Sequence, residues 1–145
     1  MKKLGLITIL LTTLIFTSVL AQSKLSNHII GEWKAVKVYD IGAVIPDGSK
    51  KQIEAFQTKF INSKFQFNTD HTFSLNTPFT EMIVKNAKWK ILSDNYEVII
   101  YDATDKDKRG GNVMGITVLI KDGKTIFMIE ETFLAFEMEK TKSNE

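Results

Sequence analysis

The chain has 145 residues, no cysteine, and 19 basic against 17 acidic side chains, which gives a formal net charge of +2. This length fits one domain, and the lack of cysteine excludes disulfides, thiolate metal sites, a cysteine nucleophile and lipid attachment through cysteine. A hydrophobic fraction of 43% with 25% charged residues is typical of a folded globular chain and not of a disordered one.

The N-terminus has the layout of a cleaved secretory signal peptide. Two lysines are followed by an uncharged, mostly apolar run from Leu4 to Ser23. Val19-Leu20-Ala21 has small or modest-sized residues at the positions that a signal peptidase reads, so we expect removal of residues 1–21 and a mature chain that begins at Gln22. The alternative is an uncleaved membrane anchor. Because position 22 is not Cys, the sequence predicts a periplasmic or secreted protein that is not a lipoprotein and has no stable membrane insertion after cleavage.

Loss of the signal peptide makes the mature chain electrostatically neutral. Cleavage removes Lys2 and Lys3, which leaves 17 basic and 17 acidic residues. A neutral domain has no basic footprint for nucleic acid and no polybasic segment for an anionic membrane. We therefore expect neither as a partner.

Residues 22–145 predict a single all-β domain, an antiparallel up-and-down β-barrel of about eight strands. Period-two patterns and β-branched runs mark the strands, which we place at 32–40, 64–68, 72–76, 88–91, 96–102, 113–121, 125–131 and 132–140. Asp122-Gly123 has the sequence of a two-residue hairpin turn. Closure into a barrel removes the exposed edges that such a meander would otherwise have.

One segment between the first two strands has helical spacing instead. Ile53, Phe56 and Phe60 recur at helical intervals over Lys51–Ser63, and Ser49 can cap the start of this segment. The pattern predicts one short amphipathic helix between strands 1 and 2.

Three motifs occur in order over nearly the whole mature chain. They are a Gly-x-Trp opening at Gly31–Trp33, a hairpin with Asp-x-Thr-Phe at Phe65–Phe73, and a Trp strand followed by an apolar strand at Lys88–Ile100. Together they resemble the bacterial lipocalin-like domains of the lipocalin and fatty-acid-binding superfamily. The resemblance implies a barrel that can hold an apolar molecule, with the opening Trp closing one end and the segment after the first strand crossing an end of the barrel.

The chain departs from that family's pattern at two positions. His71 stands where the hairpin usually has Gly. In the lipocalin family an Arg on the last strand packs on the opening Trp, but the sole arginine here, Arg109, lies in a predicted polar loop. Lys140 is the nearest basic residue at the chain end.

Apolar residues expected to face the barrel interior or its mouth are the candidate ligand contacts: Trp33, Phe56, Phe60, Phe65, Phe67, Phe73, Trp89, Phe136 and Met138. They offer van der Waals surface without charge, which suits a small apolar or amphipathic molecule rather than a sugar or a nucleotide. The alternative is that they fill the barrel, because eight strands enclose just enough space for either arrangement. The protein would then be a structural or protein-interaction module.

Nothing in the sequence indicates catalysis, a metal or a cofactor. His28 and His71 do not have the spacing of a metal pair, and the acidic loop from Asp102 to Asp107 lacks the Gly and the terminal Glu of an EF-hand. No phosphate loop, dinucleotide fingerprint or nucleophile elbow occurs. The sequence therefore predicts a binding protein that is not an enzyme and uses no cofactor.

Overall fold

The computed structural model describes residues 24–40, 50–92, 96–104, 111–130, 132 and 134–141. The predicted signal peptide and Arg109 lie outside the described residues. A short helix, α1 (residues 24–29), precedes the first strand. The remaining elements are β1 (Gly31–Asp40), α2 (Lys50–Lys59), β2 (Lys64–Phe67), β3 (Thr72–Asn76), a 3₁₀ turn (Thr80–Met82), β4 (Val84–Leu92), β5 (Glu97–Tyr101), β6 (Asn112–Lys121), β7 (Lys124–Ile129) and β8 (Leu134–Lys140).

The eight strands form one closed antiparallel barrel. Each strand pairs with its neighbours in the chain, and β8 pairs with β1 to close the sheet. This confirms the predicted all-β, up-and-down barrel with a helix between the first two strands. We call the end that carries α1 and the start of β1 the closed end, and the opposite end, which carries α2 and the 3₁₀ turn, the mouth.

Two turns at the closed end have the backbone conformations that their sequences require. Asp122 and Gly123 have φ values of 52° and 74°, and Lys121 pairs with Lys124 across them. This confirms the predicted two-residue hairpin, whose turn type needs positive φ at both positions. His71 has φ 63°, so it adopts the left-handed conformation at the position where the resembling domains have Gly.

The helices differ from the sequence prediction in two ways. Helix α2 ends at Lys59 rather than continuing to Ser63, because Asn62 is left-handed (φ 75°) and its N–H donates to the carbonyl of Ala35 on β1 at 2.8 Å. Helix α1 was not predicted, since six residues are too few to show a periodicity. Its apolar residues Leu25 and Ile29 lie one turn apart, and both are buried against the barrel.

Strand β4 begins at Val84, four residues before the predicted start. The pattern is interrupted because an extra residue lies between the pairs Leu75–Val84 and Phe73–Ala87 and because Asn86 has φ 58°. A bulge of this kind shifts the side-chain alternation by one position. The residues before the bulge therefore do not continue the period-two pattern, and the prediction missed them.

Aromatic rings fill the barrel interior. Phe127 lies in the middle of this packing, with ring centroids 5.6 to 5.8 Å from those of Trp33, Phe65 and Phe67. The core joins side chains from all eight strands and from α1. Neither helix in the described part of the chain is long and apolar enough to cross a membrane.

Candidate functional site

A small apolar cavity lies inside the barrel at its mouth. It has a volume of about 30 Å³, which is room for about one water-sized molecule. Its apolar wall includes Phe60, Phe65, Leu75, Met114, Ile129 and Phe136. Ligand pockets for drug-sized molecules are usually about 300–1,000 Å³, so a larger molecule enters only if the covering side chains move.

The ring of Phe60 covers this cavity. Phe60 is 3% exposed, and its ring centroid lies 4.7 Å from that of Phe79, 5.2 Å from Phe56 and 5.7 Å from Phe136. Helix α2 itself has no buried residue. The helix that carries Phe56 therefore lies on the mouth without contributing a fully buried side chain of its own.

The turn that follows α2 is fixed to the barrel wall. Ala35 donates its N–H to the carbonyl of Ser63 at 2.9 Å and accepts the N–H of Asn62 at 2.8 Å. These two bonds lie beside a register shift between β1 and β8 at Ala35 and Lys37. The backbone that follows Phe60 is thus held in place, and Phe56 on the preceding helix contacts the rings of Phe60 and Phe79.

A larger hollow lies beside the cavity, between the start of β4 and the end of β5. Its volume is about 670 Å³, and its wall includes Lys85, Asp102 and Val113. Met82 and Met114 line both this hollow and the cavity. Met82 is 40% exposed, and methionine side chains adapt easily because three rotatable bonds let them change shape. Two flexible side chains therefore separate the buried cavity from a space of ligand size.

Three of the residues that line the cavity carry a hydroxyl group. Thr132 donates to the carbonyl of Ile129 at 2.8 Å, and Thr77 accepts the N–H of Phe79 at 3.3 Å. Ser63 is 1% exposed, and its Oγ has no hydrogen-bond partner among the residues that the structure describes. A buried hydroxyl without a partner costs about 1–3 kcal/mol, so Ser63 is an unusual polar group in an apolar wall.

The sequence did not single out Ser63. Its position two residues before Phe65 and four before Phe67 gives it the same inward alternation as those rings. Because the predicted helix extends to Ser63, the strand pattern of Phe65 and Phe67 does not include this residue. With a helix that ends at Lys59, the inward alternation of Ser63, Phe65 and Phe67 can be seen in the sequence.

The predicted ligand contacts fall into three groups by position. Phe60, Phe65 and Phe136 line the mouth cavity. Phe56 is on α2 and 44% exposed. The others are buried in the packed core away from the cavity: Trp33, Phe67, Phe73, Trp89 and Met138. Their role as ligand contacts stays a prediction.

The closed end is sealed by a cluster around Trp33. The indole Nε1–H donates to the carbonyl of Ile29 at 2.7 Å, and Lys140 Nζ lies 5.3 Å from the centroid of the Trp33 ring. Lys140 also donates to the carbonyl of His28 at 3.0 Å. Lys140 thus lies on the opening Trp, as the resemblance implies for an Arg. Its pKa is lowered by burial, and the pKa of His28 is lowered by burial and by the charge of Lys140.

Gly31 of the Gly-x-Trp opening is required by this arrangement. Its φ is 127°, a conformation that other residues rarely adopt, and a Cβ at this position would lie 2.7 Å from Cε of Lys140. The glycine therefore permits the lysine side chain to cross the strand and reach the indole.

A third depression lies outside the barrel at the closed end. It has a volume of about 780 Å³ between α1 and β6, with Lys24, Tyr96 and Leu119 in its wall. No group of three or more metal-ligating side chains occurs among the residues that the structure describes.

Comparison of the chain with protein-family models, with curated proteins and with solved structures found no match. The fold itself defines the class: a closed, eight-stranded antiparallel barrel, which is compatible with a lipocalin-like fold.

Proposed function

We propose that this protein is a lipocalin-like binding protein that takes a small apolar or amphipathic molecule at the mouth of the barrel. The observation that carries the proposal is the wall formed by Met82 and Met114, which lies between the 30 Å³ cavity and the 670 Å³ hollow. When these side chains and Phe60 shift, the two spaces join into a site of ligand size. The ligand's body lies in the hollow and one end enters the barrel.

The expected affinity is modest. Burial of about 200 Å² of ligand surface contributes roughly 5 kcal/mol at about 25 cal/mol per Å². Displacement of the covering side chains and immobilisation of the ligand offset part of this gain. We expect dissociation constants that are micromolar at best. No catalytic step is part of this function.

We also propose that the protein is exported. The basic start, the apolar run and Val19-Leu20-Ala21 support this proposal. N-terminal sequencing of protein recovered from the producing cell should give Gln22 as the first residue. Recovery of intact Met1 in the membrane fraction would instead support an anchored protein.

A packed barrel that serves as a structural or protein-interaction module is the second candidate. The observation in its favour is the ring-filled interior, in which Phe67, Phe73, Trp89 and Phe127 are all at most 1% exposed. The two candidates differ in what happens at the mouth, since a packed module binds no small molecule there.

Titration with Nile red, ethylbenzene and decanoate tests binding at the mouth. Calorimetry and dye emission are preferable to intrinsic fluorescence, because Trp33 and Trp89 are buried away from the cavity. Phe60→Ala should bind ethylbenzene about tenfold more tightly than the unmodified protein. The variant opens space for roughly 50 Å² more ligand surface, worth about 1.3 kcal/mol, and it removes the side chain that must be displaced.

Phe56→Ala is the matched control. Phe56 precedes Phe60 by four residues and its ring contacts that of Phe60, but it is 44% exposed and does not line the cavity. Its affinity for ethylbenzene should stay within about threefold of the unmodified protein, and a thermal melt should show that both variants are folded. Absence of binding below about millimolar concentration in all three proteins would reject the mouth site and favour the packed module.

A further inference from the structure

We infer that the ligand of the mouth site is an uncharged molecule with a hydrogen-bond acceptor at its buried end, such as a ketone, an ester or an ether. This inference rests on the proposed function and concerns the chemistry of the same site. The group that carries it is Ser63, which is 1% exposed and lines the cavity, and whose Oγ has no hydrogen-bond partner in the described part of the chain.

The hydroxyl of Ser63 is positioned by the backbone and not by a bond of its own. Its carbonyl accepts the N–H of Ala35 at 2.9 Å, and its N–H donates to the carbonyl of Phe60 at 3.0 Å. Both backbone groups are thus used within the turn, and the side chain alone remains for a ligand. A hydroxyl can donate its proton to an acceptor atom that enters the cavity.

Thr77 gives the cavity a second donor. It is 6% exposed, and its Oγ1 accepts the N–H of Phe79 at 3.3 Å, which leaves the hydroxyl proton to be donated. Thr132 differs, because its hydroxyl donates to Ile129 and accepts from Leu134. Two residues that line the cavity, Ser63 and Thr77, can therefore each donate a hydroxyl proton to an oxygen acceptor.

The uncharged wall of the cavity disfavours an anionic ligand end. The side chains that line the cavity are apolar or carry only a hydroxyl, and no charged side chain lines it in the part of the chain that the structure describes. A carboxylate buried there would lose its hydration without a cation to replace it, which costs far more than burial of a neutral carbonyl. Lys85 lines the neighbouring hollow and not the cavity, and the acidic residue Asp102 lines that hollow as well.

The mouth provides the complementary surface for the ligand's outer end. Met82 and Val113 are 40% and 45% exposed, and both line the hollow beside the cavity. These apolar groups can cover a ring or a short chain that extends from the cavity. The ligand class is therefore a small amphipathic molecule that enters with its neutral polar end first.

Acetophenone, ethylbenzene and benzoate test this orientation, because they are similar in size and differ in the acceptor and the charge. With the full chain, displacement of Nile red should show acetophenone binding about 3–10-fold more tightly than ethylbenzene, which is the effect of about one net hydrogen bond. Benzoate should bind most weakly of the three. Ser63→Ala should remove most of the preference for acetophenone and leave ethylbenzene affinity unchanged or higher.

Ser63→Ala also has a readout that needs no ligand. Removal of a buried hydroxyl without a partner should raise the melting temperature by roughly 3–6 °C. Ser74→Ala is the matched control, because Ser74 is half-buried on β3 and does not line the cavity. It should change neither the preference for acetophenone nor the melting temperature.

The outcomes separate this inference from the proposed function. If none of the probes displaces or binds, the proposed function itself fails. If ethylbenzene binds as tightly as acetophenone and Ser63→Ala changes neither affinity, the mouth site stands and the inference of a buried hydrogen-bond acceptor is wrong. Tighter binding of benzoate than of acetophenone would overturn the inference and place a charged group outward, near Lys85.

Discussion

Replacement of Trp89 by Ala should lower the free energy of unfolding by about 3–5 kcal/mol, a large part of the roughly 5–15 kcal/mol available to a small domain. Trp89 is 1% exposed, and its ring is nearly perpendicular to that of Phe67, with the centroids 5.9 Å apart. Its Nε1–H donates to the carbonyl of Asn68 at 3.1 Å, and the ring of His71 lies 4.6 Å away. The substitution removes this packing and leaves the carbonyl of Asn68 without its side-chain donor.

Urea denaturation measures this effect through the midpoint at a constant m value. Leu92→Ala on the same strand is the control, because Leu92 is 40% exposed and a surface substitution usually changes stability by about 0.5 kcal/mol or less. A loss below about 1 kcal/mol for Trp89→Ala would show that this ring contributes little to the core.

Replacement of Trp33 by Ala should cost a similar 3–5 kcal/mol, and this loss should depend on Lys140. The indole is 3% exposed, bonds the last residue of α1, and has the Lys140 ammonium 5.3 Å from its ring. A cation over a tryptophan face contributes roughly 0.5–2 kcal/mol. Lys140→Met keeps much of the aliphatic contact and removes the charge.

A double-mutant cycle with Trp33→Ala and Lys140→Met isolates the interaction. We expect a coupling free energy of about 0.5–2 kcal/mol, the range for residues in direct contact. Lys64→Met is a suitable reference, since Lys64 is half-exposed and paired with Glu32 rather than with an indole. Additive effects of the two substitutions would mean that Lys140 does not stabilise the closed end through Trp33.

Local patterns predicted the strands that have an uninterrupted alternation. Phe65 and Phe67 on β2, and Phe73 and Leu75 on β3, alternate with exposed or half-buried neighbours both in the sequence and in the barrel. The period of two survives folding because one face of each strand is buried and the other is solvated. The same reasoning failed at the start of β4, where the bulge at Asn86 breaks the alternation.

Only part of the candidate site could be predicted from local sequence patterns. The local spacing puts Phe60 on one face with Phe56, and the resemblance to lipocalin-like domains implies that this segment crosses an end of the barrel. The wall between cavity and hollow joins Met82 and Met114, which are 32 positions apart in the numbering. No periodicity within either segment indicates that they meet, since their approach depends on the register of β4, β5 and β6.

The sequence by itself determined the all-β class, the number of strands, the Asp122-Gly123 turn and the helix after the first strand, because each depends on neighbours within a few residues. Only the tertiary structure decided how the barrel is filled, which ring lies at its mouth, and that Ser63 Oγ bonds to none of the described residues. It also placed Lys140 on Trp33, through the pairing of the first strand with the last. These features depend on contacts between distant segments, and the free energy that selects them comes from packing the whole interior at once.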